Sequence, residues 1–155
     1  MNVLGIDPGK TGGAAYCNEN RQGQIVPYTT PAAVLVWLRE ANKSAAIHAY
    51  LEDSWSRPGP GGRAQGRKSS DKFQRNIGWW EGVLTTMRIP FTRCTAAVWM
   101  KKLGVVGKKK DATSAQIRAQ ELYPHWKISR ALSDAVLICE YGWICERGRN
   151  ADNGL

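Results

Sequence analysis

The chain has 155 residues, which is enough for one domain with a substantial core and too few for two ordinary domains. Its 22 Lys and Arg residues outnumber its 13 Asp and Glu residues, giving a formal net charge of +9. A small domain this basic is expected to bind a polyanion, first nucleic acid and second an anionic membrane surface. The charged fraction of 23% and the hydrophobic fraction of 43% exclude wholesale disorder.

The sequence carries no sign of export or of membrane insertion. No apolar run approaches the roughly 20 residues that span a bilayer, and residues 1–4 contain no basic segment, which predicts that there is no secretory signal. The four cysteines, Cys17, Cys94, Cys139 and Cys145, show no Cys-x-x-Cys spacing. We therefore predict reduced thiols, a cytoplasmic protein and no membrane partner.

The first part of the chain is predicted to form three consecutive strands, a helix and a fourth strand. Apolar runs place the strands at residues 2–7, 14–17, 24–28 and 46–52, with the first two paired as a hairpin. Thr30 and Pro31 predict a helix start, because Thr is a good N-cap and Pro suits the first helical position. Val34, Leu35 and Leu38 then share the apolar face of that helix.

The second part begins with residues 54–70, which are rich in Gly, Pro and basic residues and are predicted to form a long, functional loop. Helices are predicted from 71 to 87, from Thr95 to 103, from Asp111 or Thr113 to Pro124 and from 132 to 145, with a strand at 88–94 and a basic loop at 104–110. The element order is therefore β-β-β-α-β-α-β-α-α-α, which predicts an α/β domain with a mixed sheet. We place the domain at residues 1–146 and a polar tail at 147–155.

Three carboxylates are candidates for chemistry, although each has a simpler interpretation. Asp7 ends the first strand before a Gly-rich turn, where an Asp also caps turns. Glu52 ends the fourth strand and is alternatively an exposed strand-end residue. Asp134 shares a helix face with Leu137 and Ile138, where a carboxylate is costly unless it is paired or binds a metal; alternatively it is a first-turn acid favoured by the helix dipole.

Together these carboxylates predict a metal site for phosphodiester chemistry. Two acids at adjacent strand ends and a third on a helix packed against them can converge on one point. Hard divalent ions such as Mg²⁺ prefer carboxylate oxygens and keep waters for substrate phosphates. Two such ions stabilise both the attacking and the leaving oxygen of a phosphodiester displacement.

Several segments resemble the RuvC family of Holliday junction resolvases, most closely its short phage-type members. They are GIDPG at 5–9, LEDSW at 51–55, GWWEG at 78–82, WMKKLG at 99–104 with its continuation through Lys108 to Pro124, and SDA at 133–135. Their order and spacing cover residues 3–142. The resemblance implies an RNase H-like fold, with a mixed five-stranded sheet flanked by helices. It also implies metal-dependent cleavage of two strands of a four-way junction by a homodimer, in the cytoplasm of a bacterium or a phage-infected host.

Carried over residue by residue, the resemblance implies that Asp7, Glu52 and Asp134 are catalytic ligands of Mg²⁺, with Mn²⁺ as a substitute. Trp55 falls where the family has an aromatic residue that stacks on a junction base, although it can also pack over its own loop. The family has lysines near the scissile phosphate where this chain has Lys101 or Lys102 and one of Lys108, Lys109 and Lys110. Of these we assign Lys102 and Lys109 to catalysis. Further DNA contacts are expected from Arg57, Arg63, Arg67, Lys68, Lys101, Lys108 and Lys110. The run 108–110 is alternatively a solvated basic loop.

The sequence departs from the family at one position of the expected site. The family has another acid, or a His, three or four residues before the last Asp, where this chain has Ala131 and Arg130. This departure leaves four explanations open. Either three carboxylates suffice for catalysis, or the second metal ion binds weakly, or Asp53 or His125 replaces the missing ligand, or the nuclease is weakened or inactive. This departure motivates a second hypothesis, a branched-DNA-binding module with weak or no nuclease activity.

Three further interpretations concern other parts of the chain. The pattern Asp-x-Gly-x-x-Gly-Gly at 7–13 also resembles the phosphate loop of actin- and hexokinase-like proteins, which repeat their fold in two lobes where this chain has one. His48 and His125, the only histidines, are expected to be structural. The helix with Phe73, Ile77 and Trp80 is a candidate dimer interface.

Overall fold

The computed structural model describes residues 1–53, 67–105 and 112–152, and it contains a five-stranded mixed sheet. The strands are β1 (Asn2–Asp7), β2 (Gly13–Cys17), β3 (Gly23–Pro27), β4 (Ile47–Glu52) and β5 (Phe91–Cys94). The helices are α1 (Pro31–Ser44), α2 (Arg67–Thr86), α3 (Ala96–Lys102), α4 (Ala112–Leu122) and α5 (Ser133–Asp152). The predicted element order and the predicted mixed five-stranded sheet are thus confirmed.

The sheet places the two strand-end carboxylates side by side. Its strand order is β3-β2-β1-β4-β5, with β1 antiparallel to β2 and parallel to β4. Ile6 of β1 is aligned with Leu51 of β4, so the next residues, Asp7 and Glu52, end neighbouring strands at the same edge. Because parallel strands share a carboxyl edge, this pairing follows directly from the register.

Side chains of the central strands alternate between two apolar layers. Val3 and Tyr50 point into a cluster built with α3, α4 and α5. Leu4 and Leu51 point to the other face, where they pack with Leu38 of α1 and helix α2. Both faces of β1 and β4 are therefore covered, which explains why these strands are apolar nearly throughout.

Helix α5 approaches β1 so closely that one strand position has no room for a side chain. A Cβ atom on Gly5 would lie 2.3 Å from the backbone nitrogen of Cys139 and 2.4 Å from the carbonyl oxygen of Ala135. Residues 135–139 are fully buried by this contact. The contact therefore sets the distance between the first turn of α5 and the carboxyl end of β1.

Four predicted boundaries are wrong by a few residues. Helix α2 begins at Arg67 and not at 71, while the rest of the predicted loop lies outside the described residues. Strand β5 begins at Phe91 and not at 88, because Arg88 adopts a positive φ of 55° that ends the preceding turn. Helix α5 starts at Ser133 and runs on to Asp152, beyond its predicted end at 145, so the predicted tail begins as exposed helix.

Of three predictions about side chains, two agree with the structure and one disagrees in part. The four cysteines are unpaired, and the Thr30 hydroxyl accepts the Ala33 backbone N–H at 3.2 Å as an N-cap. The candidate dimer face is wrong for Ile77 and Trp80, which are 3% and 1% exposed and pack beneath the chain's own sheet. Among the described helices, none is long and apolar enough to cross a membrane.

We predict that Gly5→Ala lowers the free energy of unfolding by about 3 kcal/mol, because the added methyl group meets backbone atoms that can yield only if α5 moves. Urea denaturation measures the effect. The matched control is Gly82→Ala in α2, where no atom lies within 4 Å of the added Cβ. That substitution should stabilise the protein by about 0.5–1 kcal/mol, and equal effects at the two positions would contradict the packing argument.

Candidate active site

The three predicted carboxylates line one cleft at the carboxyl ends of β1 and β4. The cleft has a volume of about 510 Å³, and Asp7, Glu52 and Asp134 all contribute to its wall. Its other lining residues are Thr11, Ala96, Trp99, Met100, Ser114, Ala115, Arg130, Ala131 and Ser133. All three carboxylates are half-buried. The cleft therefore combines partly desolvated acids with access for a ligand from outside.

The Gly-rich turn after β1 wraps around the Asp7 carboxylate. The backbone N–H of Gly9 donates to Oδ1 of Asp7 at 2.8 Å. A Cβ on Gly12 would lie 2.3 Å from the backbone oxygen of Asp7 and 2.7 Å from its carboxyl carbon, so only glycine fits there. Asp7 thus caps the turn through its Oδ1 atom, as the simpler interpretation predicts. This capping is compatible with a functional role for the same carboxylate.

The environment of Asp7 disfavours its charged form. The pKa of Asp7 is raised to about 6, mainly by burial and also by the nearby charge of Asp134, while the Gly9 hydrogen bond works in the opposite direction. A carboxyl group shifted by desolvation and by a like charge is typical of a site that receives a cation. The interaction also shows that Asp7 and Asp134 are electrostatic neighbours.

Glu52 is oriented by a buried tryptophan. The indole Nε1 of Trp99, in α3, donates to Oε1 of Glu52 at 3.3 Å. Trp99 is 1% exposed, and a buried indole N–H requires an acceptor. Sequence analysis did not identify Trp99 as part of the site, because a tryptophan in a short amphipathic helix suits the core equally well.

Asp134 occupies the first turn of α5, where the helix dipole favours a negative charge. The preceding Ser133 donates its hydroxyl to the carbonyl oxygen of Arg130 at 2.8 Å, which holds the turn that leads into the helix. The alternative interpretation of Asp134, as an acid in the first turn of a helix, is therefore correct for its position. That same position also directs Asp134 to the cleft.

The donor set fits a hard divalent cation bound mainly through water. Carboxylate oxygens are the ligands that Mg²⁺ prefers, and Mg²⁺ is commonly held by one or two carboxylates with its remaining positions filled by water and substrate. Asp7 and Asp134 provide such a pair, and a cation would relieve their mutual repulsion. Within residues 1–53, 67–105 and 112–152, no three His, Cys, Asp or Glu side chains are grouped as a ready-made metal site.

The position of the missing fourth acid lies in this cleft. Arg130 and Ala131 both line it, beside the three carboxylates. Neither proposed substitute joins them: Asp53 is paired with Arg93 at 3.3 Å, and His125 is exposed outside the lining. The hypothesis that Asp53 or His125 completes the ligand set is therefore unsupported in this arrangement.

The two histidines have no place in the cleft. His48 lies in β4, where its Nε2 is 2.9 Å from the Thr92 hydroxyl and its Nδ1 is 3.3 Å from Glu146. Burial lowers the pKa of His48, despite the nearby Glu146 carboxylate. These contacts agree with the structural role expected for it.

The predicted basic residues are only partly placed by the structure. Lys101 and Lys102 are exposed in the last turn of α3, close in sequence to Met100 of the cleft but not among its lining residues. Arg67 and Lys68 begin α2, and their side chains are outside the described part. Also outside the described residues are Trp55, Arg57, Arg63, Lys108, Lys109 and Lys110.

A basic groove that sequence analysis did not identify lies beside the Gly-rich turn. It has a volume of about 880 Å³ and is lined by Lys10, Lys72 and Arg75, with Asp71 as its acidic member. Tyr28, Phe73 and Asn76 complete the lining. Asn76 donates to the carbonyl oxygen of Pro8 at 2.9 Å, which attaches α2 to the turn.

This basic groove and the carboxylate cleft share the turn as a common wall. Lys10 lines the groove and the next residue, Thr11, lines the cleft. Basic groups combined with aromatic rings are typical of surfaces that bind single nucleic-acid strands. Spacing in the sequence could not reveal the groove, because its residues come from three separate segments.

We predict that Asp7→Asn stabilises the metal-free protein at neutral pH. Between pH 4 and 6 the folded state retains a proton on Asp7 that the unfolded state releases, so the free energy of unfolding falls as pH rises through this window. The full contribution is about 3 kcal/mol by linkage. Urea denaturation in EDTA at pH 4 and pH 7.5 should therefore show the stabilising effect of Asp7→Asn growing with pH.

The control for loss of one charge is Glu19→Gln, at an exposed turn position. Addition of Mg²⁺ at pH 7.5 should stabilise the wild type and leave Asp7→Asn little changed. A difference between wild type and Asp7→Asn that is the same at both pH values would contradict the assigned environment of Asp7.

Comparison with known proteins supports the fold independently of the site. No protein-family model matches the sequence, and no curated protein does. The chain is similar to RuvC of Thermus thermophilus in complex with a Holliday junction substrate, with 16% identity and a TM-score of 0.68 over 95% of this chain and 96% of that one. A second structure of Thermus thermophilus RuvC matches with 16% identity and a TM-score of 0.60, covering 96% and 97% of the two chains. The chain therefore has the RNase H-like fold of RuvC, as the sequence motifs predicted.

Proposed function

We propose that this protein is a metal-dependent endodeoxyribonuclease that resolves four-way junctions and other branched DNA by paired phosphodiester hydrolysis. The observation that carries the proposal is the convergence of Asp7, Glu52 and Asp134 on one cleft, in a chain with the RuvC fold. The structural neighbour binds a Holliday junction substrate. The surplus of basic residues supports a polyanionic substrate for this chain.

All three carboxylates are metal ligands in this proposal. Asp7 and Asp134 would hold Mg²⁺, or Mn²⁺ as a substitute, together with Glu52. When bound, such an ion supplies Lewis-acid activation of the phosphodiester. The Trp99 indole holds Glu52 in one orientation, and the Gly9 N–H holds Asp7. The partial burial of all three limits competing water around the reacting phosphate.

The DNA is held by positive charge around the cleft. Lys10, Lys72 and Arg75 provide phosphate contacts along the basic groove next to the Gly-rich turn. We retain Lys102 and Lys109 as residues near the scissile phosphate, and Trp55 as a stacking residue at the junction centre. Two cuts on opposite strands require two sites, so we propose a homodimer with two-fold symmetry, acting in the cytoplasm.

The second candidate function is a branched-DNA-binding module with weak or no nuclease activity. The presence of Ala131 in the cleft, where the family has a fourth ligand, favours it. The two candidates differ in one measurable respect: both bind junctions, but the nuclease cuts them efficiently and the binding module cuts them weakly or not at all.

We predict that the wild type cuts a synthetic four-way junction symmetrically in Mg²⁺ or Mn²⁺, and that Asp7→Asn abolishes cutting while junction binding persists. The reason is that the substitution removes a metal ligand and leaves the basic groove in place. Gel analysis of end-labelled strands measures cleavage, and mobility shift in Ca²⁺ measures binding.

The matched control is Asp53→Asn, which removes an acid that is paired with Arg93 outside the cleft. It should cut at close to the wild-type rate. Equal cutting by Asp7→Asn and the wild type would refute the site, whereas binding without cutting by the wild type would establish the binding module.

A further prediction concerns the basic groove. The double variant Lys10→Gln with Arg75→Gln should bind the junction more weakly and show a slope of log affinity against log salt that is smaller by about 2, since two phosphate contacts are lost. Fluorescence anisotropy in EDTA measures both quantities. The control pair is Arg39→Gln with Lys43→Gln on α1, which has the same charge change outside the groove; an equal loss in the control would show a nonspecific charge effect.

A further inference from the structure

The carboxylate cleft contains one cationic side chain among the residues that the structure describes, and that residue is Arg130. Arg130 lies four residues before Asp134, in the turn that leads into α5. Its backbone carbonyl is held by the Ser133 hydroxyl at 2.8 Å, and Leu132 N–H donates to Ser129 at 3.1 Å. The backbone of Arg130 is thus held beside the cleft by the local fold.

The guanidinium of Arg130 is available to a ligand. Arg130 is exposed, and its side chain makes no hydrogen bond or ion pair to the residues in the described ranges. Arg93 and Arg21, in contrast, form ion pairs: Arg93 is paired with Asp53 and Glu81, and Arg21 is paired with Glu140. An arginine that lines a cleft without an acidic partner has its planar set of N–H donors ready for a phosphate group.

We propose that Arg130 binds the scissile phosphate and, together with a single divalent ion, supplies the positive charge that the three carboxylates require. This inference rests on the proposed nuclease function and makes its metal requirement specific. Among the described residues that line the cleft, three ionised carboxylates contribute −3 and Arg130 contributes +1, so one Mg²⁺ at +2 would bring this set to neutrality before substrate binds. A second divalent ion would leave a charge of +2 in a half-buried cleft with fewer ligands to bind it.

Ala131 supports the same conclusion from the side of the ligands. Its methyl group lines the cleft where an oxygen or nitrogen donor is needed to complete a second ion site. Arg130 lies beside it and supplies one of the two positive charges that such an ion would have carried. A guanidinium that reaches a phosphoryl oxygen would stabilise the charge that develops there during displacement. In this proposal, residues 130 and 131 replace a metal ligand with a positive side chain, and both arrangements compensate the negative charge of the carboxylates.

The number of bound ions tests the proposal without reference to activity. Electron paramagnetic resonance of free Mn²⁺, titrated with protein bound to an uncleavable phosphorothioate junction, should give one ion per protomer. Ala131→Asp should raise this number to two, because it adds the missing carboxylate. Two ions per protomer in the wild type would overturn the proposal.

Junction binding in EDTA tests the contact between Arg130 and phosphate. Arg130→Ala should reduce the salt slope by about 1, whereas Arg39→Ala on α1 should leave it unchanged. In Mg²⁺, Arg130→Ala should cut about 10²–10³-fold more slowly, and Arg130→Lys should restore part of the rate. Thermal unfolding of each variant checks that the fold is intact.

An unchanged salt slope in Arg130→Ala would overturn the phosphate contact. Failure of the proposed function is distinguishable, since it would appear as a wild type that binds the junction and never cuts it. The salt slope and the ion count would still decide the role of Arg130 in that case.

Discussion

The close packing of α5 against β1 at Gly5 is the contact on which the geometry of the cleft depends. Strand register alone brings Asp7 and Glu52 to one edge of the sheet. The third carboxylate comes from a helix, and a helix can reach that edge only if its backbone lies directly on the strand. The absence of a side chain at Gly5 permits this approach, with Ala135 and Cys139 above it. Core packing therefore determines where Asp134 meets the strand ends.

Buried acids occur elsewhere in the chain, and the difference in their surroundings separates structural from functional carboxylates. Glu140, which is 3% exposed, is held by Arg21 and by the Tyr123 hydroxyl. Glu146 accepts from the Tyr50 hydroxyl at 2.6 Å and is paired with Arg149. These partners compensate the cost of burying a charge.

The surroundings of Asp7 do not compensate its charge in this way. Its neighbours include a second carboxylate, Asp134, and the single backbone donor of Gly9 does not prevent its pKa from rising. Such a site is less stable than it would be with an uncharged side chain, and a bound cation reverses this cost. In the proposed nuclease this local instability would favour binding of a divalent ion, because the ion would remove the cost.

The sequence predicted what depends on local patterns. Apolar runs that end in an acid gave the ends of β1 and β4, and the apolar face beside Asp134 indicated a helix packed on the sheet. It did not predict contacts between distant segments, such as the donation from Trp99 to Glu52 or the grouping of Lys10 with Arg75. The start of α2 was missed because residues 67–70 are basic and polar, which resembles a loop when the packing of the helix is unknown.

The electrostatics of the cleft favour a nuclease over a module that only binds DNA. Three carboxylates facing a common space repel the phosphates of a DNA strand, so a binding module would bind more tightly if these positions were neutral. Burial adds a further cost through the raised pKa of Asp7. In the proposed nuclease a divalent cation in the cleft would offset both costs, since the same carboxylates would then hold the ion next to the phosphate. Arg130, the cationic member of the described lining, would attract the phosphate while the acids retain the metal. Such a combination would serve the cutting of a phosphodiester and would bring no benefit to a module that only binds DNA.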